Sequence, residues 1–117
     1  MVLASSGSTT TLSRTSGKNL LFSFNQMLTH HSITGCPMRI GDMLGSGTIS
    51  GKEASERGSL LEQNRNSKSV IKLEGGEQRV FLEDGDEVTI TGVCIGEDGS
   101  RVGFGEVTGK IIPAVKI

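Results

Sequence analysis

The fold class is best predicted from the segment FLEDGDEVTITGVCIGEDGSRVGFGEVTGK, residues 81–110, because its pattern is typical of strands separated by tight turns. In its central run, EVTITGVC, the side chains of Val88, Ile90 and Cys94 are expected on one face and those of Thr89, Thr91 and Val93 on the other, a pattern typical of a β-strand. The motifs EDGD and GEDGS flank this run and are turn signals. A glycine-interrupted pair of strands is expected from Val102 onward. The segment therefore predicts antiparallel hairpins.

Shorter strands are predicted upstream of this segment. Two of them flank a glycine-rich loop and two more are short alternating apolar pairs: Met43–Thr48, Leu60–Gln63, Ile71 with Leu73, and Val80 with Leu82. The motif EGGE between the last two is a further turn signal. The fold class that follows is mainly β, with about six strands and one helix near the N-terminus.

The helix is predicted from residues that recur at helical spacing: Leu20, Leu21, Phe24, Met27, Leu28 and His31. Ser16 fits the N-cap, and Gly35 and Pro37 would end the helix, which is expected over Lys18–His31. His31 continues the apolar stripe and is expected to be packed with one nitrogen satisfied. His30 is expected to be exposed or at an interface. Adjacent helical residues point about 100° apart, so the two histidines cannot share one metal ion.

The composition indicates one small domain or a part of one. The chain has 117 residues with four Phe, no Trp and no Tyr, so the supply for a core is thin. Six short strands leave edges that need cover, which favours a piece of a larger sheet assembly. The net charge of −1 gives no indication of a nucleic-acid or membrane partner. The two separated cysteines, Cys36 and Cys94, indicate free thiols in a reducing compartment, which favours the cytoplasm.

The first residues differ in composition from the rest. Residues 1–15 are rich in Ser and Thr, and the first acidic residue of the chain is Asp42. Such a composition is compatible with an organelle transit peptide. No cationic amphipathic helix forms there, however, so residues 1–15 are predicted to be a flexible tail before a domain over residues 16–117.

The stretch GDMLGSGTISGKE, Gly41–Glu53, looks like a phosphate-binding loop but has the wrong spacing. A P-loop needs Gly where this chain has Ser46, and Ser or Thr where it has Glu53. The Thr48 hydroxyl can donate a hydrogen bond, and the glycines before it let backbone amides approach an anion. These features suit a carboxylate as well as a phosphate. The alternative is a structural turn in which Thr48 caps its own backbone, and the sequence leaves both open.

Glu62 ends the motif GSLLE at the edge of an apolar run. A carboxylate that enters a strand beside two leucines is expected to be partly desolvated, which would raise its pKa. Such carboxylates often orient a base or a water, and the alternative is an ordinary glutamate at the end of a strand. The acidic run EDGDE, Glu83–Glu87, lacks the ligand spacing of a calcium loop and predicts a hairpin turn with positive φ at Gly85.

Four motifs together resemble the C-terminal portion of fumarylacetoacetase: LTHHSITGCPMRIGDMLGSGTISG, GSLLE, FLEDGDEVTITGVC and RVGFGEVTGKIIPA. The resemblance runs from Ser13 to Ala114 and covers about the last quarter of the family's enzyme. The wider superfamily has a TGTP loop and lacks the segment that ends in LLE, so SGTISG and GSLLE favour fumarylacetoacetase proper.

The resemblance implies a mixed β-sandwich roll in a homodimeric hydrolase. The family cleaves the carbon–carbon bond of 4-fumarylacetoacetate, giving fumarate and acetoacetate in tyrosine and phenylalanine breakdown. Thr48 and Gly47 match the loop that contacts a substrate carboxylate, and Glu62 matches the glutamate that pairs with a histidine general base. The base and the ligands of a divalent metal, magnesium or calcium, are implied outside this chain, so the isolated chain is expected to be inactive.

Two segments depart from the family's pattern. QNR follows Glu62 where the family has LSW, which places Arg65 at the tryptophan position, and GKEASER replaces a proline-containing run. A second hypothesis follows from the missing catalytic parts: a non-catalytic, β-rich interaction module derived from the same family.

Overall fold

A computed structural model describes residues 1–116. In chain order its regular elements are β1 (Val2–Ser5), β2 (Ser8–Thr11), α1 (Phe24–Ile33), α2 (Leu60–Gln63), β3 (Ile71–Lys72), β4 (Gln78–Arg79), β5 (Glu87–Ile95) and β6 (Arg101–Lys110). Short 3₁₀ turns cover Gly17–Asn19 and Ala54–Glu56. Four strands form an antiparallel sheet in the order β2-β1-β5-β6, and β3 pairs with β4 in a small second sheet. The prediction of a mainly β chain is confirmed.

The long β5–β6 hairpin is the element that the sequence predicts best. Gly96 and Ser100 close its turn with a hydrogen bond of 2.8 Å from the Gly96 amide. The predicted pair of strands beyond Val102 is instead the single strand β6. Between the pairs Thr91–Glu106 and Val93–Gly103 the register shifts, so that one residue of β5 faces two of β6. Gly105, with φ of 74°, accommodates this bulge, and the strand continues past it.

The flexible tail predicted over residues 1–15 is wrong for the hairpin β1–β2. Ser6 and Gly7, with φ of 46° and 82°, form its two-residue turn, which matches the twist of an antiparallel pair. Leu3 is 1% exposed and lies opposite Val88 of β5. The hairpin therefore supplies two of the four strands of the main sheet. The Ser- and Thr-rich composition is typical of a flexible tail, but β-branched Thr also has a high propensity for β-strands.

The predicted helix is shorter than expected. It begins at Phe24, because Ser23 and Gln26 form a capping box in which the Gln26 side chain accepts the Ser23 amide at 2.8 Å. Ser16 caps only the 3₁₀ turn. The helix ends at Ile33, shortly before Gly35, whose φ of 84° is left-handed. No residue of α1 is buried.

Three predicted strands are wrong and one is shorter than expected. Residues 43–48 have no regular structure, and Leu60–Gln63 is the helical turn α2. Of the alternating pairs, Ile71 begins the two-residue strand β3, whereas Val80 and Leu82 follow the two-residue strand β4 and lie in no strand. The EGGE turn between them is confirmed, with Gly76 at φ of 85°, as is the EDGD turn, with Gly85 at φ of 97°.

The core is small, as the composition predicts. Leu3, Leu12 and Leu73 are buried in it, and further side chains pack around them: Met1, Leu60, Ile71, Leu82 and Val88. Many large apolar side chains of the long hairpin stay exposed, among them Phe104 and Val107. In the described part of the chain, no helix is long and apolar enough to cross a membrane.

A buried ion pair joins the N-terminal hairpin to the rest of the domain. Arg79 donates to both carboxylate oxygens of Asp86, from Nε at 2.9 Å and from Nη2 at 3.1 Å. The same Nη2 donates to the Ser5 hydroxyl at 2.8 Å. Glu77 accepts bonds from Ser5 at 2.7 Å and from Arg79 at 3.2 Å. The network satisfies charges that would be costly to bury alone.

Candidate functional site

The glycine loop presents unpaired donors at the surface. Gly47 has φ of 77°, a conformation that favours glycine, and both Gly47 and Thr48 are exposed. Within residues 1–116, the amides of Gly47 and Thr48 and the Thr48 hydroxyl donate no hydrogen bond to the protein. Thr48 therefore does not cap its own backbone, which was the structural alternative. The arrangement leaves two amides and a hydroxyl free to bind an anion.

Glu62 lies in a helical turn rather than in a strand. Ser59 caps α2, and its hydroxyl accepts the Glu62 amide at 3.3 Å, while Glu62 Oε2 accepts the Ser59 amide at 3.1 Å. This reciprocal pair is a capping box. Ser59-x-x-Glu62 is the sequence signature of such a box, and this signal was missed when the segment was assigned to a strand.

The expectation of a raised Glu62 pKa is also wrong. The carboxylate is exposed, and the Ser50 hydroxyl donates to its Oε2 at 2.8 Å. This bond is the largest cause that holds the pKa of Glu62 below its ordinary value, and the bonds from Ser59 add to it. Glu62 is therefore an ionised carboxylate at neutral pH.

The loop and the helical turn contact each other through Ser50 and Gly58. The Ser50 hydroxyl donates to Glu62 and accepts the Gly58 amide at 3.0 Å. A side chain at Gly58 would meet the Ile49 carbonyl oxygen, and it would lie 2.7 Å from the Thr48 methyl carbon. The structure thus brings the loop of Thr48 and the turn of Glu62 to one place. Sequence reasoning missed both Ser50 and Gly58, and no sequence signal pairs them.

A groove of about 610 Å³ lies beside the loop, between α1 and residues 44–46. Its walls are mostly apolar and include Phe22, Met27 and Leu44, together with both histidines. His30 is exposed and His31 is half-buried, with ring centres 5.9 Å apart. The expected hydrogen bond to one nitrogen of His31 is absent from the described contacts. The described hydrogen bonds of Glu62 go to Ser50 and Ser59 and to neither histidine.

The residues present do not form a metal centre. Across residues 1–116, no three His, Cys, Asp or Glu side chains are grouped so that they could hold an ion. Of the acidic run at Glu83–Glu87, Asp86 is committed to Arg79 and to the Glu83 amide at 2.9 Å. Cys36 and Cys94 are free and exposed. The metal that the resemblance implies would therefore need ligands from outside the described residues.

The described residues form an antiparallel β domain that brings a glycine loop and an ionised carboxylate together at its surface. The family model described as fumarylacetoacetate (FAA) hydrolase C-terminal matches residues 2–112. The chain belongs to this family. The match includes the hairpin β1–β2, which the resemblance in the sequence did not reach.

Curated fumarylacetoacetases from distant organisms are similar to this chain. The enzyme of Aspergillus fumigatus is 58% identical over 111 residues, which cover 95% of this chain and 25% of the relative. The enzyme of Mus musculus is 50% identical over 105 residues, which cover 90% of this chain and 25% of the relative. The enzyme of Arabidopsis thaliana is 48% identical over 103 residues, which cover 88% of this chain and 24% of the relative. The chain spans about a quarter of the length of these relatives.

Proposed function

We propose that this chain supplies part of the active site of a fumarylacetoacetase, which hydrolyses the carbon–carbon bond of 4-fumarylacetoacetate to fumarate and acetoacetate. In this proposal Thr48 and Gly47 bind a substrate carboxylate, and Glu62 orients a histidine general base. The observation that carries the proposal is the junction at Ser50, which holds the loop of Thr48 against the turn of Glu62.

The hydrogen bonds of Glu62 suit the role of a partner to a base. All three described bonds end on Oε2, from the Ser50 hydroxyl and from the amide and hydroxyl of Ser59. In the part of the chain that the structure describes, Oε1 is left for an imidazole N–H. An ionised carboxylate at that N–H fixes the tautomer of the imidazole and supports the imidazolium that forms when the base takes a proton from water.

The donors of the loop suit an organic acid. Two free amides and one hydroxyl can together satisfy a carboxylate, and Gly47 lets the backbone approach it closely. The acidic residue Glu53, which follows Lys52, disfavours a phosphate group that carries more charge. The loop would then hold the substrate beside the base rather than take part in bond cleavage.

Several further features belong to the proposal. The resemblance implies a mixed β-sandwich roll, a homodimer and a place in tyrosine and phenylalanine breakdown, and the two free cysteines favour a cytoplasmic location. It also implies a magnesium or calcium ion, which when bound would polarise the substrate. The ligands of that ion, and the histidine base, would lie outside the described residues, so the chain alone should be inactive.

A chimeric enzyme tests the proposal. This chain replaces the matching quarter of the Aspergillus fumigatus fumarylacetoacetase, and hydrolysis is followed as the loss of the substrate's ultraviolet absorbance with magnesium or calcium present. We expect the chimera to hydrolyse 4-fumarylacetoacetate and the 117-residue chain to show no turnover above buffer.

The control is the same chimera with Glu62→Gln and Thr48→Val together, which should be folded and inactive. A chimera that folds but never turns over would instead favour the interaction module. Turnover by the isolated chain that disappears in Glu62→Ala would show that the missing base and metal are not needed.

A further inference from the structure

Asn64 is fully buried, although it directly follows the exposed turn that carries Glu62. None of its surface is exposed. A buried amide is costly unless its polar atoms are bonded. Its Nδ2 donates to the backbone carbonyl of Val80 at 2.6 Å, and its Oδ1 accepts the Ser67 amide at 2.9 Å. One side chain therefore ties the end of α2 to backbone 16 residues away.

The chain after Asn64 adopts an unfavourable conformation. Arg65, Asn66 and Ser67 have φ of 52°, 56° and 64°, and none of them is glycine. Residues with a Cβ rarely adopt this conformation, so the surroundings must hold it. The bond from the Ser67 amide to Asn64 Oδ1 closes the turn, and the Ser69 amide donates to the Asn64 carbonyl at 3.0 Å. Asn64 thus stabilises the turn that ends the helix.

The helix between these contacts has no stability of its own. α2 has only four residues, fewer than an isolated helix needs in water. Its start is fixed by Ser59 and, through Glu62, by Ser50. Its end is fixed by Asn64, whose backbone amide donates to the Leu60 carbonyl at 2.8 Å. Release of that end would let the turn rotate and would separate the Glu62 carboxylate from the loop.

We propose that Asn64 is a positioning residue, which anchors α2 to Val80 so that the Glu62 carboxylate stays against Ser50 and the glycine loop. The catalytic use of Glu62 rests on the proposed function, whereas its placement is a property of this chain. Asn64 lies in the QNR segment, where the sequence departs from the LSW of the family's pattern.

Asn64→Leu tests the proposal, because leucine keeps the branched shape and removes both hydrogen bonds. The control is Leu73→Ala, which loosens the buried core, against which Leu60 of α2 also packs, but removes no hydrogen bond of α2. In the 117-residue chain, the side-chain carboxyl of Glu62 is titrated by carbon-13 NMR. We expect the pKa of Glu62 to rise toward its ordinary value in Asn64→Leu and to stay lowered in Leu73→Ala.

An unchanged Glu62 titration in folded Asn64→Leu would overturn the proposal. If that variant does not fold, hydrogen exchange of the unmodified chain decides. The Ser67 amide should then exchange at least about fivefold more slowly than an unbonded amide, the effect of one net hydrogen bond. Exchange at the unbonded rate would also reject the anchor. Neither measurement contains substrate or metal, so failure of the proposed function would leave both results unchanged.

Discussion

Ser50 and Glu62, twelve residues apart, are joined by a hydrogen bond of 2.8 Å between the serine hydroxyl and carboxylate Oε2. The same hydroxyl accepts the Gly58 amide at 3.0 Å, so one small side chain bonds both the Glu62 carboxylate and the backbone before α2. This junction places the glycine loop and α2 in a single site, and it defines the first test of that site.

Ser50→Ala should raise the pKa of Glu62 toward its ordinary value, because the Ser50 bond is the largest cause of the lowered pKa. A carbon-13 NMR titration of the carboxyl group measures this. Ser46→Ala is the matched control, since the Ser46 hydroxyl donates only to the Gly47 carbonyl at 3.0 Å. Equal Glu62 titrations in the two variants would mean that Ser50 does not join the loop to the turn.

Glu62→Gln in the chimeric enzyme should lower turnover by roughly 10²- to 10⁴-fold, the usual contribution of general acid–base catalysis. Glutamine keeps the shape but removes the charge that supports an imidazolium. Thr48→Val should instead weaken substrate binding by about 1–3 kcal/mol, because a carboxylate oxygen loses its donor. Steady-state kinetics separate the two effects. Full turnover in Glu62→Gln, with loss of turnover in Glu53→Gln, would show that the role belongs to Glu53.

Asp86→Ala should lower the free energy of unfolding by about 3–5 kcal/mol, because it leaves the Arg79 guanidinium buried without its main partner. Urea unfolding of the chain measures this. Glu83→Ala is the matched control: Glu83 lies 3.6 Å from Arg79, but its side chain is 64% exposed. That variant should cost less than about 1 kcal/mol. Similar losses in both variants would contradict a buried pair.

The stability of the chain should also fall in acid. Hydrogen bonds from Arg79 hold the pKa of Asp86 below its ordinary value of 3.8. A lowered folded-state pKa contributes stability that is fully present above the ordinary value and is lost as the pH falls through the lowered one. Urea unfolding between about pH 6 and about pH 3 should therefore show a decrease at the acid end. The decrease should be smaller in Asp86→Asn, and an equal decrease would assign the effect to other carboxylates.

Leu3→Ala should lower the free energy of unfolding by about 2–5 kcal/mol, the range for a buried leucine. Leu3 is 1% exposed and belongs to the core with Leu12 and Leu73. Thr9→Ala, at an exposed position of the same hairpin, should change it by no more than about 0.5 kcal/mol. A flexible N-terminal tail would instead make the two substitutions equally harmless, so the comparison decides whether the hairpin belongs to the domain.

Sequence reasoning succeeded where local chemistry determines structure. The position of β5 and the glycine turns at Gly76, Gly85 and Gly99 follow from strand propensity and from the backbone freedom of glycine, although burial along β5 does not alternate. The helix was predicted but placed too early, because Ser16 and Ser23 are both acceptable caps and only Ser23 has Gln26 at the right distance. The roles of Thr48 and Glu62 came from the family resemblance, not from any local pattern.

The mainly β class, the long hairpin, the turns and the thin core can all be predicted from the sequence, because these features depend on composition and on neighbouring residues. That residues 2–11 join the main sheet is evident only from the three-dimensional structure, in which Arg79 meets Ser5 across 74 positions. The same structure also shows that Ser50 contacts Glu62 and that Asn64 anchors their turn to Val80. These contacts depend on which distant groups can satisfy one another once water is excluded, and no local pattern in the sequence records that choice.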